Sequence, residues 1–276
     1  MSTAHEAVRA STGPGRHLLD VCAPSWGDDP YADALRAGRG PLFLRRADGW
    51  LLPLDVERWC AHADATDLDV LERCEGAVLD IGCGPGRLVA ALAARGRHAL
   101  GIDVSRAAVA HTTGLGGQAL HRSVFEPLPG EGRWGTALLL DGNIGIGGDP
   151  SALLERAAEL LTPGGLLITE TASVDIDERV DVRLVPAVGP HGAREGVDET
   201  AYERPFPWAR LGTPALLRRA GRAGWRVSGQ WTADGRSFVA LRSRSTRSSP
   251  ELANSTAVIS SHRVRKPSPD TPVADA

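Results

Sequence analysis

From Ala77 onward, short apolar runs alternate with segments of helical period. Ala77–Ile81 predicts a strand, and Gly86–Ala94 a helix whose Leu88, Ala91 and Leu92 fall on one face. His98–Ile102 predicts a second strand and Ser105–His111 a helix with Ser105 as its N-cap. Gln118–Val124 reads as a weaker strand and Gly135–Leu140 as a strongly apolar one. The next helix is capped by Asp149, carries Pro150 in its first turn, and continues through Leu153, Leu154, Ala157, Leu160 and Leu161. It stops at Thr162-Pro163-Gly164-Gly165, and Leu166–Glu170 follows as a fifth strand. A last helix starts at Thr213-Pro214 and ends near Ala223-Gly224. Strands Trp225–Trp231 and Ser237–Leu241, turned at Ala233-Asp234-Gly235, close the pattern. This alternation predicts a parallel sheet with helices on both faces.

The flanks depart from that rhythm. Pro30–Ala37 reads as a short helix, and Leu42–Arg45 with Trp50–Leu52 as a hairpin around Arg46-Ala47-Asp48-Gly49, since Asp-Gly is a strong turn signal. Asp55 caps a helix through Trp59, and Asp67–Cys74 forms another. After the fifth strand, Val180–Val188 and Thr200–Phe206 are expected to pair as an inserted hairpin around Gly189-Pro190-His191-Gly192. Residues 1–15 are small and polar, and residues 243–276 are serine-rich without an aromatic, so both ends are expected to be disordered. No internal repeat is visible.

At 276 residues the chain can bury one large core or two small ones. A formal charge of -3 provides no global field favouring nucleic acid or an anionic membrane. Basic residues are almost all arginine, with Lys266 the only lysine, which reads as codon bias and not as chemistry. There is no apolar run of about 18 residues and no apolar signal core, so a cytoplasmic protein is expected. The four cysteines, Cys22, Cys60, Cys74 and Cys83, form no C-x-x-C pair and no zinc-like spacing, so reduced thiols and no metal are expected.

The chemistry concentrates at Val78-Leu79-Asp80-Ile81-Gly82-Cys83-Gly84-Pro85-Gly86-Arg87. An apolar run passes into alternating glycines and then into a helix, and Asp103 ends the next apolar run twenty-three residues after Asp80. Glycines let the backbone approach a ligand closely, and a carboxylate can accept both hydroxyl hydrogen bonds of a ribose. The D-x-G-x-G-x-G spacing resembles motif I of the class I S-adenosylmethionine-dependent methyltransferases. The resemblance covers about residues 70–242. It implies a Rossmann-like, seven-stranded, mostly parallel sheet whose last strand is antiparallel. The expected organisation is an N-terminal extension over 16–70, serving as an acceptor lid, and a methyltransferase domain over 71–242.

The family pattern assigns the loop Asp80, Gly82, Cys83, Gly84 and Gly86 to the cofactor, with the glycines lining methionine and ribose and Asp80 ordering the loop. It assigns Asp103 to the ribose hydroxyls and Val104 to one adenine face; a plain helix-cap role for Asp103 is the alternative. Many relatives end the third strand with an acid that binds the adenine amine. Here Ser123 stands at that position, leaving its hydroxyl and the Val124 amide to serve the ring. Asp141-Gly142-Asn143 follows the fourth strand, where the family presents a backbone carbonyl to the methionine ammonium. The (Asn/Asp)-Pro-Pro-(Tyr/Phe) tetrad of amine methyltransferases acting on nucleic acids is absent there, as is a cysteine nucleophile pair, which argues against nucleic-acid base modification. Gly145-Ile146-Gly147-Gly148 reads as a second ligand loop or as a lead-in to the next helix.

Methyl transfer is an in-line displacement at an activated carbon, so positioning matters most and no base is obligatory. Asp141 and His111 are the candidate bases, with Glu170 and His191 behind them. Pro205-Phe206-Pro207-Trp208 with Trp26, Tyr31 and Trp50 either roofs an acceptor pocket or packs the hairpins. The expected partner is a small-molecule acceptor, with no membrane and no nucleic acid. A macromolecular acceptor (RNA or protein) or a cofactor-binding module without turnover are the alternatives, and no oligomeric state is implied.

Overall fold

The computed structural model describes residues 30–186 and 204–243. Its main sheet is built where the apolar runs are densest. Strands β3 (Val78–Ile81) and β4 (Ala99–Asp103) are buried at every position, as parallel strands covered on both faces must be. For continuity the N-terminal elements are α1 (Pro30–Ala37), β1 (Leu42–Arg46), β2 (Leu51–Leu54), α2 (Val56–Cys60) and α3 (Ala65–Glu72). After β3 come α4 (Arg87–Ala93), β4, α5 (Arg106–Gly114), β5 (Ala119–His121), β6 (Trp134–Leu139), a single 3-10 turn Asn143–Gly145, α6 (Pro150–Leu160) and β7 (Leu161–Thr171). Then follow β8 (Asp177–Pro186), β9 (Phe206–Leu211), α7 (Thr213–Arg222), β10 (Arg226–Ala233) and β11 (Arg236–Arg242).

Seven strands form the main sheet in the order β10-β11-β7-β6-β3-β4-β5. The pairs from β7 to β5 are parallel, and β11 joins β7 antiparallel, Ser237 opposite Thr171. The chain crosses over at β3, with β4 on one side and β6 on the other, so the C-terminal ends of β3 and β6 frame a crevice, the usual ligand position in such sheets. One apolar core holds Leu153, Leu154 and Leu160 of α6 and Leu216 of α7 against one sheet face. A second holds Val70 of α3 and Leu88 and Leu92 of α4 against the other.

Several boundaries differ from the sequence reading. The third strand is only Ala119–His121, because it lies at the sheet edge and is largely exposed, which removes the apolar signal. The helix expected from Asp67 starts at Ala65, capped by Asp64, whose carboxylate accepts from the Asp67 amide while Asp67 reaches back. β7 begins at Leu161, so the expected stop Thr162-Pro163-Gly164-Gly165 lies in an irregular stretch of strand, where pairing with β6 shifts between Trp134 and Thr136.

The largest departure is a second sheet of four strands, β2-β1-β8-β9. The expected hairpins are not separate: β1 pairs antiparallel with β8, Leu44 opposite Leu184. The inserted pair is β8 with β9, Val182 opposite Phe206, so β9 lies C-terminal to the expected Thr200–Phe206. Residues 187–203, including the expected turn and His191, lie outside the described residues, as do residues 1–29 with Trp26 and Cys22 and the tail beyond Ser243. Two isolated hairpins are marginal in water, and joining them gives one continuous apolar face. That face carries Leu42, Leu44, Val182, Leu184 and Phe206 and buries them against Tyr31, Leu35, Val56 and Ala108 in a third core. Among the described residues no helix is long and apolar enough to cross a membrane.

Candidate functional site

The glycine loop leaves β3 with Gly82, Gly84 and Gly86 at φ values of 71°, 54° and 91°, a region that side-chain-bearing residues rarely enter. A Cβ on Gly86 would stand 2.4 Å from the Thr112 hydroxyl, and one on Gly82 would stand 2.7 Å from Asn143 Nδ2. The loop is tied down at several points. The Gly82 and Cys83 amides donate to the Ile102 carbonyl at 2.9 and 3.0 Å. Thr112 donates to Gly84 O at 3.1 Å, and His111 Nδ1 lies 2.8 Å from Pro85 O. Asn143 Nδ2 donates to Ile81 O at 2.9 Å and Gly82 O at 2.8 Å. Cys83 turns its side chain into the second core, where burial pushes its thiol well above the ordinary range, so only its backbone belongs to the loop's outer face.

Asp103, at the end of β4, accepts from the Gly84 amide at 2.9 Å and from the Ser105 amide at 2.8 Å, one bond on each oxygen. Burial raises its pKa, and those two amides oppose the shift. Each oxygen keeps a further lone pair, enough to take a vicinal diol.

Asp80 is the anomaly. It is 2% exposed, and its Oδ2 has no hydrogen-bond partner. Burial pushes its pKa up to about 7; Arg87 pulls the other way, while Asp141, Asp103 and Asp67 add to the rise. Around it lies an ion network at the C-terminal end of the sheet. Arg87, in the first turn of α4, binds Asp67 through Nε at 2.7 Å and Nη2 at 3.1 Å, and Asp141 through Nη1 at 2.8 Å. Arg236 of β11 binds Asp67 at 2.8 Å and pairs with Glu170 through two bonds of 2.9 and 2.8 Å. Arg58 of α2 binds Asp141 as well. Burial alone would raise the pKa of Asp67, but its bonds to Arg87 and Arg236 bring it down to about 2. Asp141 adopts φ 56°, and the Glu170 carboxylate accepts its amide at 2.9 Å.

The other residues named from the sequence fall as follows. Both oxygens of Asp141 and of Glu170 are engaged by guanidiniums, which makes them orienting anions. The Ser123 hydroxyl accepts from the Phe125 amide at 3.3 Å, and the Ser123 amide donates to Glu126 at 2.7 Å. Val124 is buried in the first core, and its carbonyl accepts from Arg156 at 2.9 Å. The carbonyl of Val104 lies 2.9 Å from His121 Nε2. Gly145 and Gly148 are packing glycines: a Cβ on either would strike Trp208 and Ala209 or Pro207. Tyr31 lies over the loop, its hydroxyl 3.3 Å from where a Gly84 Cβ would be, and it meets Trp59 edge-on at 6.3 Å. Phe206 and Trp208 line the second sheet at an edge contact of 6.2 Å, and Trp50 sits near Arg46 and Arg210.

Sequence reasoning gave no individual site role to Arg58, Arg87, Arg236, Asp67, Asn143 and Trp59, although Arg87 and Asn143 stood within the stretches it singled out. Arg87 did leave a signal, because a cation in a helix's first turn opposes the helix dipole and calls for a carboxylate partner. Among the described residues no cluster of His, Cys, Asp and Glu is arranged to hold a metal.

A buried carboxylate with an orphan oxygen calls for a cation, the Asp103 carboxylate suits a ribose diol, and the open glycine backbone admits a thin chain between them. S-adenosylmethionine carries all three features, so the residues present fit it. A family model described as a methyltransferase domain matches residues 46–223, well over half the chain. No curated protein matches the sequence. The chain is similar to a solved S-adenosylmethionine-dependent methyltransferase from Bacteroides fragilis in complex with S-adenosyl-L-homocysteine, at 18% identity over 78% of this chain and 93% of that one, with a TM-score of 0.62. It is also similar to the CcbJ methyltransferase from Streptomyces caelestis, at 19% identity over 80% and 98% of the two chains, with a TM-score of 0.50. These two likenesses show the fold. With the matched model and the loop geometry, they establish that the chain belongs to the methyltransferase domain family, as a class I S-adenosylmethionine-dependent methyltransferase.

Proposed function

We propose that the chain methylates a small molecule held between the glycine loop and the inner face of the second sheet. One observation carries the reading: the donor loop and an aromatic face meet at the same end of the main sheet. Tyr31 stands over Gly84, while the Trp208 indole stands against Gly145, two residues past Asn143. In this reading Asp80 and the Asp141 backbone carbonyl hold the donor's ammonium, Asp103 holds the ribose hydroxyls, and Val104, Ser123 and Val124 border the adenine. When bound, S-adenosylmethionine supplies a methyl group already activated by a positively charged sulfur.

The protein's part is to hold the acceptor in line and exclude water, and Tyr31, Trp59 and Trp208 do the latter. His111 is the remaining candidate base. Its Nδ1 faces the Pro85 carbonyl, an acceptor only, so the neutral ring carries its proton there and leaves Nε2 as the basic nitrogen. The methyltransferase domain supplies the donor site, and the described part of the N-terminal extension, residues 30–70, contributes the cap. The free thiols of Cys60, Cys74 and Cys83 suit a reducing, cytoplasmic compartment.

The test is transfer of labelled methyl from S-adenosylmethionine into fractionated cell extract. Label is expected in the small-metabolite fraction. Label confined to RNA or protein would overturn the acceptor class, and none anywhere would overturn turnover itself.

A further inference from the structure

The inner face of the second sheet carries a cation that has no hydrogen bond among the described residues. Arg210 lies on β9 two residues beyond Trp208 and on the same face, about 7 Å farther along the strand. Its side chain is 20% exposed, and among the described residues its only ionic contact is Glu178 Oε2 at 3.6 Å, too long for a hydrogen bond. That same Glu178 oxygen is buried without a hydrogen-bond partner. The guanidinium carbon lies over the Trp50 ring, 4.7 Å from its centre. Arg46, which also lies over Trp50 at 5.7 Å, is satisfied by Glu178 and by Asp48 at 2.9 Å.

Arg58, 24% exposed, also leaves its Nη1 without a hydrogen bond among the described residues, whereas four other arginines are well bonded. Arg87, Arg236, Arg219 and Arg156 each donate two or more hydrogen bonds. The Arg210 guanidinium is thus partly open to solvent with donors still free, and its planar fork matches the geometry of a carboxylate.

Between Arg210 and the donor loop the surface is apolar. Val180 pairs across from Trp208, and both are only partly buried against the third core. Trp208 pairs through its backbone with Ile146, whose side chain would meet a Cβ on Gly82 at 3.0 Å. Neighbouring apolar residues therefore lead from Gly82 through Ile146, Trp208 and Val180 toward the Arg210 guanidinium.

We propose that the methyl acceptor is a flat, largely apolar small molecule bearing a carboxylate, with its ring on Trp208 and Val180 and its carboxylate on Arg210. The accepting atom then points toward the glycine loop. This rests on the donor-site reading above and adds the acceptor class to it.

The experiment is ligand-observed NMR on the full chain saturated with S-adenosylhomocysteine. The probes are benzene-, naphthalene- and indole-carboxylic acids, each paired with its primary amide. The acids are expected to bind about tenfold tighter than their amides, and Arg210→Gln is expected to erase that difference. Equal binding of acids and amides to the native protein, or a preference that persists in the variant, would overturn the proposal. The acid-to-amide comparison on the native chain stands even if the variant fails to fold. If S-adenosylhomocysteine does not bind, the donor reading falls and this proposal with it; if it binds and no carboxylate preference is seen, only this proposal falls.

Discussion

A carboxylate at 2% exposure with one oxygen unpartnered works against folding unless something charged arrives, and Asp80 is in that position. Its folded pKa of about 7 lies above the ordinary 3.8, so the folded state holds a proton that the unfolded chain releases. Stability without ligand is therefore full below about pH 4 for this group and falls as pH rises through about 7. A cationic ligand reverses the preference by binding the carboxylate form, so S-adenosylhomocysteine affinity should rise across pH 6 to 8. Asp80→Asn should remove both effects. In thermal unfolding it should stabilise the ligand-free protein more at pH 8 than at pH 6, and in titration it should weaken the ligand by about 10- to 100-fold. A variant that binds as tightly as the native chain would refute the ammonium assignment. Asp80 was legible in the sequence as part of a motif. Its missing partner was not, because that depends on which neighbours Arg87 takes, and Arg87 takes Asp67 and Asp141.

Between elements, the ion network joins the N-terminal extension to the proposed donor site alongside the third apolar core. Arg58 belongs to α2, yet it binds Asp141 just after β6 and lies 3.6 Å from Asp67 of α3. Arg58→Ala should loosen that junction at a cost of about 1–3 kcal/mol in unfolding free energy. It should also raise the KM for the donor, since the Asp141 backbone would lose an anchor; an unchanged KM would confine Arg58 to stability. The β3–α4–β4 unit was readable because its strands are buried throughout and its helix is capped by a glycine. β5 was read too long because an exposed edge strand carries little apolar signal. The second sheet was unreadable as one unit, since β1 and β8 pair, Arg46 opposite Val182, with five strands of the main sheet between them in the chain. Local patterning reports which face of a strand is apolar and says nothing about which distant strand will share it.

For the molecule as a whole, two sheets divide the work. The seven-stranded sheet presents the glycine loop, Asp80 and Asp103 at its crevice. The four-stranded sheet brings Trp208 and Arg210 across from it, with Tyr31 and Trp59 closing the N-terminal side. The glycine loop, Asp80 and Asp103 of the proposed donor half sit within one short stretch of chain, whereas the proposed acceptor half draws on α1, α2, β8 and β9. The central claim is that Asp80, the alternating glycines and Asp103 form one donor site. Isothermal titration of S-adenosylhomocysteine into the native chain and into Asp103→Asn tests it most directly. Saturable binding at one site is expected for the native protein, weakened about 10- to 100-fold in the variant. Absence of binding by the native chain at high micromolar concentration, or equal affinity in the two proteins, would contradict it.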